Sequence, residues 1–250
     1  MYVTGDGQQA LSPGSGRTKP SGSRDLLSAA PQLASEESLA HQIYRGIRGK
    51  IISGALPQGS RLRERELAEE FRVSRVPLRE AFPQLEADGF IQSSPRRGVR
   101  VTSLTLKDVD DLFEARLGME VYATRLAAAR VAAGASADAL AAALRVAEDA
   151  YATKDPDVIT EANVAVHDEI VWLAGNSLLS AMMHAISGRY RWIFRMTYTP
   201  EVAGSGDEHR EIFEAVRNGD PDLAAAIALV HVVHGRKPTL AMLAGTLPPQ

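Results

Sequence analysis

The apolar positions of the chain change period twice, and each change marks a new kind of element. From residue 36 the period is helical: Leu39, Ile43, Ile47 and Ile51 recur at four-residue spacing, Ser35 is placed to cap the start and Gly54 to close the end. After the Pro/Gly turn "GALPQGSRL", the run "ERELAEEF" turns Leu67, Ala68 and Phe71 inward. A tight "RVSR" turn then leads into a second helix with Leu78, Phe82 and Leu85 on its inner side. The pattern next becomes that of strands. "GFIQSSPRRGVRVTSL" predicts two short β segments, Phe90 to Gln92 and Val99 to Thr102, joined by a loop with Arg96, Arg97 and Gly98.

From Thr105 the helical period returns and persists. Thr105 with Asp108 forms a capping-box pattern, and the helix it opens is expected to reach about Ala133 before Gly134 ends it. Val109, Leu112, Phe113, Met119, Ala123 and Ala127 share its apolar face. Further helices are predicted over about 137–153, 157–174, 178–197 and 207–217, the last with Ser205 and Glu208 as a capping box. Asp220 and Pro221 open a final helix whose length Pro238 should limit. No βαβ alternation occurs in this half. The fold class is therefore mainly α, an N-terminal winged helix-turn-helix followed by an all-helical bundle.

Composition fits this reading, since 250 residues with 45% hydrophobic and 24% charged side chains suffice for one or two globular domains. Without cysteine there is no disulfide framework, thiolate metal site or cysteine nucleophile. The start of the chain lacks a basic, apolar leader, and the longest apolar run, "LAAAIALVHVV", is too short to span a bilayer, so a cytoplasmic location without a membrane partner is expected. Residues 1–35, rich in Gly, Ser and Pro, read as a disordered tail, and 241–250 as a second tail. Charge separates the parts between them. Residues 36–103 carry 12 basic and 9 acidic groups, and residues 104–250 carry 13 and 20. Two domains with different partners would produce that contrast, as would drift in a solvated surface.

Three groups of residues carry candidate chemistry. Arg75 and Arg79 lie one turn apart on the second helix of the helix-turn-helix, where they can reach base edges or phosphates in a DNA major groove, and a basic wing follows. Pro77 falls in the first turn, where a missing N–H costs nothing, whereas Pro83 cannot donate to the Arg79 carbonyl and is expected to kink or loosen the helix unless neighbouring packing compensates. Arg116 and Glu120 fall within the apolar face of the long helix. Buried charge needs a partner or a task, so they form either a structural pair or a ligand-binding arginine with a supporting carboxylate. His167, His209 and His231 sit on separate helices that can converge, with Asn163 one turn before His167. Three imidazoles and a side-chain oxygen suit zinc, nickel or a similar divalent ion, while core histidines with satisfied hydrogen bonds would give the same pattern. His41, His184 and His234 read as structural.

The stretch "LRERELAEEFRVSRVPLREAFPQLEADGFIQSSPRRGVRV" closely resembles the DNA-binding domain of the GntR family of bacterial transcription regulators, over about residues 39–102. That resemblance implies DNA contact by Arg65, Arg75 and Arg79, with Ser74 near a phosphate and Arg97 and Gly98 in the wing. Val76 and Pro83 depart from the family pattern. "DDLFEARLGMEVYATRLAAA", "ANVAVHDEIVWLAGN", "DEHREIFEAVRNGDPDLAAA" and "LVHVVH" are similar to the effector-binding domain of the FadR subfamily, the FCD type, over about residues 106–240. The resemblance implies a metal held by Asn163, His167, His209 and His231, and a small organic acid bound beside it by an arginine matching Arg116.

The expectation is a homodimeric regulator, acting as a repressor, that binds a two-fold operator in double-stranded DNA and answers to a small organic acid. It is not expected to be an enzyme. A hydrolytic metalloenzyme would share the three-histidine layout, but H-E-x-x-H, the E-x-x-H of di-iron bundles and a Gly-rich phosphate loop are all missing. An adaptor whose helical half only dimerises would need no buried ligand.

Overall fold

The computed structural model describes residues 37–95, 98–198 and 206–250. Helix α1 spans Leu39–Ile52, and Ser38 caps it, its Oγ accepting from the His41 amide at 3.2 Å. The start thus falls three residues beyond the expected cap, Ser35, which lies outside the described residues with the rest of the 1–35 tail. Ile43, Tyr44, Ile47 and Ile51 form its buried stripe.

Helix α2, Glu64–Phe71, ends at Arg72, whose φ of 55° reverses the chain tightly into α3, Arg75–Ala87. Leu78, Ala81, Phe82 and Leu85 seat α3 on α1. Helix α3 continues past Pro83 to Ala87 with the proline ring exposed on its outer side, so the proline does not end the helix early. The wing is the antiparallel pair β2, Ile91–Ser94, and β3, Gly98–Val101, with Ser94 opposite Gly98. A two-residue strand, β1 at Arg61–Leu62, joins β3 on its other side, giving the order β1-β3-β2. No sequence signal pointed to β1, since two residues carry no period and only their distant partner makes them a strand.

The bundle begins with α4, Leu106–Ala132, opened by the Thr105/Asp108 capping box. It continues through α5, Asp138–Thr153; α6, Pro156–Leu173; α7, Ser177–Thr197; α8, Gly206–Arg217; and α9, Pro221–Leu243. Helix α4 packs along α9, and α5 along α6. One apolar core runs without a break from Ile47 and Phe90 through Val109 to Trp192, Val232 and Leu247. A second core around Leu140, Ile159, Ile212 and Val216 closes the far end of the bundle.

Two sequence-based expectations are corrected at the C-terminus. Helix α9 runs through Pro238 to Leu243, and residues 241–250 are no loose tail: Leu247 is buried and the Pro248 carbonyl accepts from the Leu106 amide at 2.8 Å. Pro238 is exposed, and the helix continues past it at the cost of one ladder bond.

Helix α7 joins the winged domain to the bundle. Phe90 stacks on Trp192 with centroids 5.8 Å apart, and Arg189 Nε donates to the Asp88 carbonyl at 2.9 Å. Gly188 makes the approach possible, because a Cβ there would lie 2.8 Å from Phe90 Cζ.

Candidate functional site

The long α4 places Arg116 and Glu120 one turn apart in its buried face. Arg116 donates Nε to Glu120 Oε1 at 2.6 Å and Nη2 to Oε2 at 3.0 Å, and its guanidinium lies 3.9 Å from the Tyr190 ring centroid. Glu120 Oε2 also lies 3.3 Å from His167 Nδ1. Burial opposes ionisation of Glu120, but the adjacent Arg116, and His167 after it, hold its carboxyl below the ordinary value. The carboxylate is therefore charged, and it orients the histidine.

His167 from α6, His209 from α8 and His231 from α9 converge, with ring centroids 4.8 to 5.2 Å apart. One nitrogen from each ring falls within 4.8 Å of the other two. Glu208 Oε2 accepts from His231 Nδ1 at 2.8 Å, so this ring, like that of His167, has a carboxylate on Nδ1 and its Nε2 left for another partner. Burial pushes His209 well below the ordinary imidazole value and His231 below it too, the second against the opposing pull of Glu208. Both rings are thus neutral and keep the lone pair that a metal requires.

A divalent ion fits this set. The Nε2 atoms of His167 and His209 are 3.2 Å apart, close to the roughly 3.3 Å that two nitrogens on one tetrahedral zinc would show. Asn163 lies one turn before His167 and is fully buried, and its amide is oriented by the protein. Oδ1 accepts from Tyr151 Oη at 3.0 Å and Nδ2 donates to the Ile159 carbonyl at 2.9 Å, which leaves the oxygen one lone pair.

A cavity of about 270 Å³ opens against these groups. Arg116, His209 and His231 face it from one side, and Tyr190, Ile193, Phe194 and Thr197 of α7 wall another. His234, which the sequence suggested was structural, also lines it, with Nδ1 2.9 Å from Glu208 Oε1. Two supporting residues escaped the sequence reading. Glu208 was visible only as a capping residue, and Tyr190 only as one position in a helix. The spacing "HVVH" was the available signal for a carboxylate bridging two imidazoles.

At the other end of the chain, Arg65, Arg75 and Arg79 are exposed on α2 and α3, and Val76 lies exposed between the last two. Arg79 Nε donates to Glu64 Oε2 at 2.9 Å, and Arg65 lies 3.5 Å from Glu69, so both arginines rest on carboxylates of α2. Ser74 precedes α3 in extended conformation, and its side chain caps no helix amide. Gly98 opens β3 with a φ of 76°, which suits glycine at a wing turn. Arg97 and Ser205 lie outside the described residues.

Residues 39–101 match the model of the bacterial regulatory proteins of the gntR family, and residues 111–234 that of the FCD domain. The HTH-type transcriptional regulator YdhC of Bacillus subtilis is 31% identical over 197 residues, spanning 77% of this chain and 87% of that protein. The HTH-type transcriptional repressor GlaR of Escherichia coli is 28% identical, over 76% of this chain and 90% of its own. Among solved structures, McbR/YncC of E. coli superposes with a TM-score of 0.70 at 20% identity, covering 83% of this chain and 98% of that one. Among the described residues no helix is long and apolar enough to cross a membrane.

Proposed function

The chain belongs to the GntR family of bacterial regulatory proteins and is a DNA-binding transcription regulator, not an enzyme; from that premise we propose that it is a homodimeric, cytoplasmic repressor released from its operator by a small organic acid. In this reading α3 enters the major groove, Arg75 and Arg79 reach base edges, Arg65 and Ser74 meet phosphates, and Arg97 and Gly98 carry the wing. Two such helices in a two-fold dimer address a pseudo-palindromic site.

The observation that carries the effector reading is the cavity itself. Its polar side combines a dry arginine with His209 and His231 of the three-histidine group, an arrangement that suits a small anion. Asn163, His167, His209 and His231 would hold a zinc or nickel ion, and that ion would supply positive charge that three neutral imidazoles and an amide leave uncompensated. Arg116 spends two donors on Glu120 and keeps others for a carboxylate.

Coupling to DNA has a direct route in this geometry. Helix α7 walls the cavity with Tyr190, Ile193 and Phe194, and it holds the winged domain with Gly188, Arg189 and Trp192. A ligand that binds one position of α7 more tightly than another shifts the population of winged-domain orientations by that difference in affinity. Calorimetric titration of wild type and Arg116→Ala with a panel of small carboxylates tests the assignment. One or more acids should bind the wild type, and affinity should fall at least tenfold in the variant, the loss of one charge-assisted contact. Unchanged affinity with the fold intact would make Arg116 only the structural half of its pair with Glu120.

A further inference from the structure

Glu208 uses both carboxylate oxygens on histidines of the same helix. Oε2 takes Nδ1 of His231 and Oε1 takes Nδ1 of His234, so one carboxylate orients two rings a single turn apart. The two histidines differ in surroundings. His231 is buried among the metal-binding imidazoles, whereas the side chain of His234 is 63% exposed and lies at the cavity edge with Gly235 and Thr239. A solvated surface histidine has no need of a fixed tautomer. Here Glu208 fixes one: with Nδ1–H donating to the carboxylate, a neutral ring offers Nε2 as an acceptor.

Resting on the effector reading above, we infer that His234 reads a hydroxyl group of the bound acid, so that the acid carries a hydroxyl beyond its second carbon. The acid's carboxylate belongs at the Arg116 and histidine end, and three residues along α9 amount to about 4.5 Å. A hydroxyl on the second carbon stays too close to its own carboxylate to reach that far. An ammonium group would also donate, but it would add positive charge beside Arg116 and the proposed ion, and Glu208 has no oxygen left without a histidine to offset it. The Thr239 hydroxyl on the same cavity edge can complete the second hydrogen bond that a ligand hydroxyl makes.

Matched pairs of acids that differ by one hydroxyl, such as glutarate and 3-hydroxyglutarate, test this by calorimetry on wild type, His234→Phe and His234→Gln, with β-glutamate as the amino counterpart. Wild type should favour the hydroxylated member by roughly 3- to 10-fold, the worth of one hydrogen bond. His234→Phe keeps a flat ring without the acceptor and should bind both members equally, and His234→Gln, which keeps an acceptor, should recover part of the preference. A preference that survives in His234→Phe, or tighter binding of the amino acid, would overturn the role of His234 while leaving the organic-acid reading in place. If wild type binds no member of any pair at millimolar concentration, both readings fall.

Discussion

At the scale of single residues the site depends on buried charge, and that makes its parts unequal. Arg116 and Glu120 are each almost wholly buried, so removing one strands the other in an apolar face. Arg116→Ala is expected to lower the free energy of unfolding by about 3–5 kcal/mol, whereas Arg116→Met with Glu120→Leu should recover most of that loss. Urea unfolding of the three proteins checks this, and an equally unstable double variant would contradict it. Asn163 answers a different question. If its oxygen is a ligand, Asn163→Ala should weaken metal uptake by roughly 10- to 100-fold, and Asn163→Asp, which adds a charge, should strengthen it. Competition against a chromophoric chelator measures both, and equal affinity in all three proteins would remove Asn163 from the set. Residue identity and spacing made the three histidines, Asn163 and Arg116 legible in the sequence. Glu208, Tyr190 and the cavity role of His234 were not, because each depends on which helices meet and on where a side chain points.

The elements were far more legible, since a helix of twenty residues repeats its signal five times. Predicted helix ends in the bundle, that of α9 apart, fall within a residue or two of those observed, and the Thr105/Asp108 capping box forms as the pattern implied. The misreadings share one cause. Ser35 in place of Ser38, the limit set at Pro238 and the tail over 241–250 were inferences from local pattern alone, as was the loosening that Pro83 would bring unless packing compensated; at 241–250 the buried Leu247 and the bond from Leu106 to the Pro248 carbonyl override the pattern. Pro83 gives this a measurable form. Helix α3 is seated on its core by the buried Phe82 and Leu85, while the exposed proline forfeits a ladder bond to Arg79. Pro83→Ala should therefore raise the unfolding free energy by about 1–3 kcal/mol. A drop in thermal midpoint would mean that the proline has packing or entropic value that its exposure hides.

For the whole molecule, the continuous core is the relevant fact. The winged domain is not tethered to the bundle by a linker alone. It shares an apolar core with it, and α7 lies between the cavity and the wing-bearing sheet. Such packing moves between discrete arrangements more readily than it deforms, which suits a switch. If α7 couples the two ends, filling the cavity changes affinity for DNA. Fluorescence anisotropy on an operator duplex, with metal-loaded protein at fixed salt, measures this directly before and after adding the tightest-binding carboxylate. Operator affinity should fall at least tenfold with the acid, Arg116→Ala should show no such response, and Arg75→Ala and Arg79→Ala should each lose roughly 1–3 kcal/mol of specific binding without it. Operator affinity that is identical with and without a carboxylate shown to occupy the cavity would contradict it.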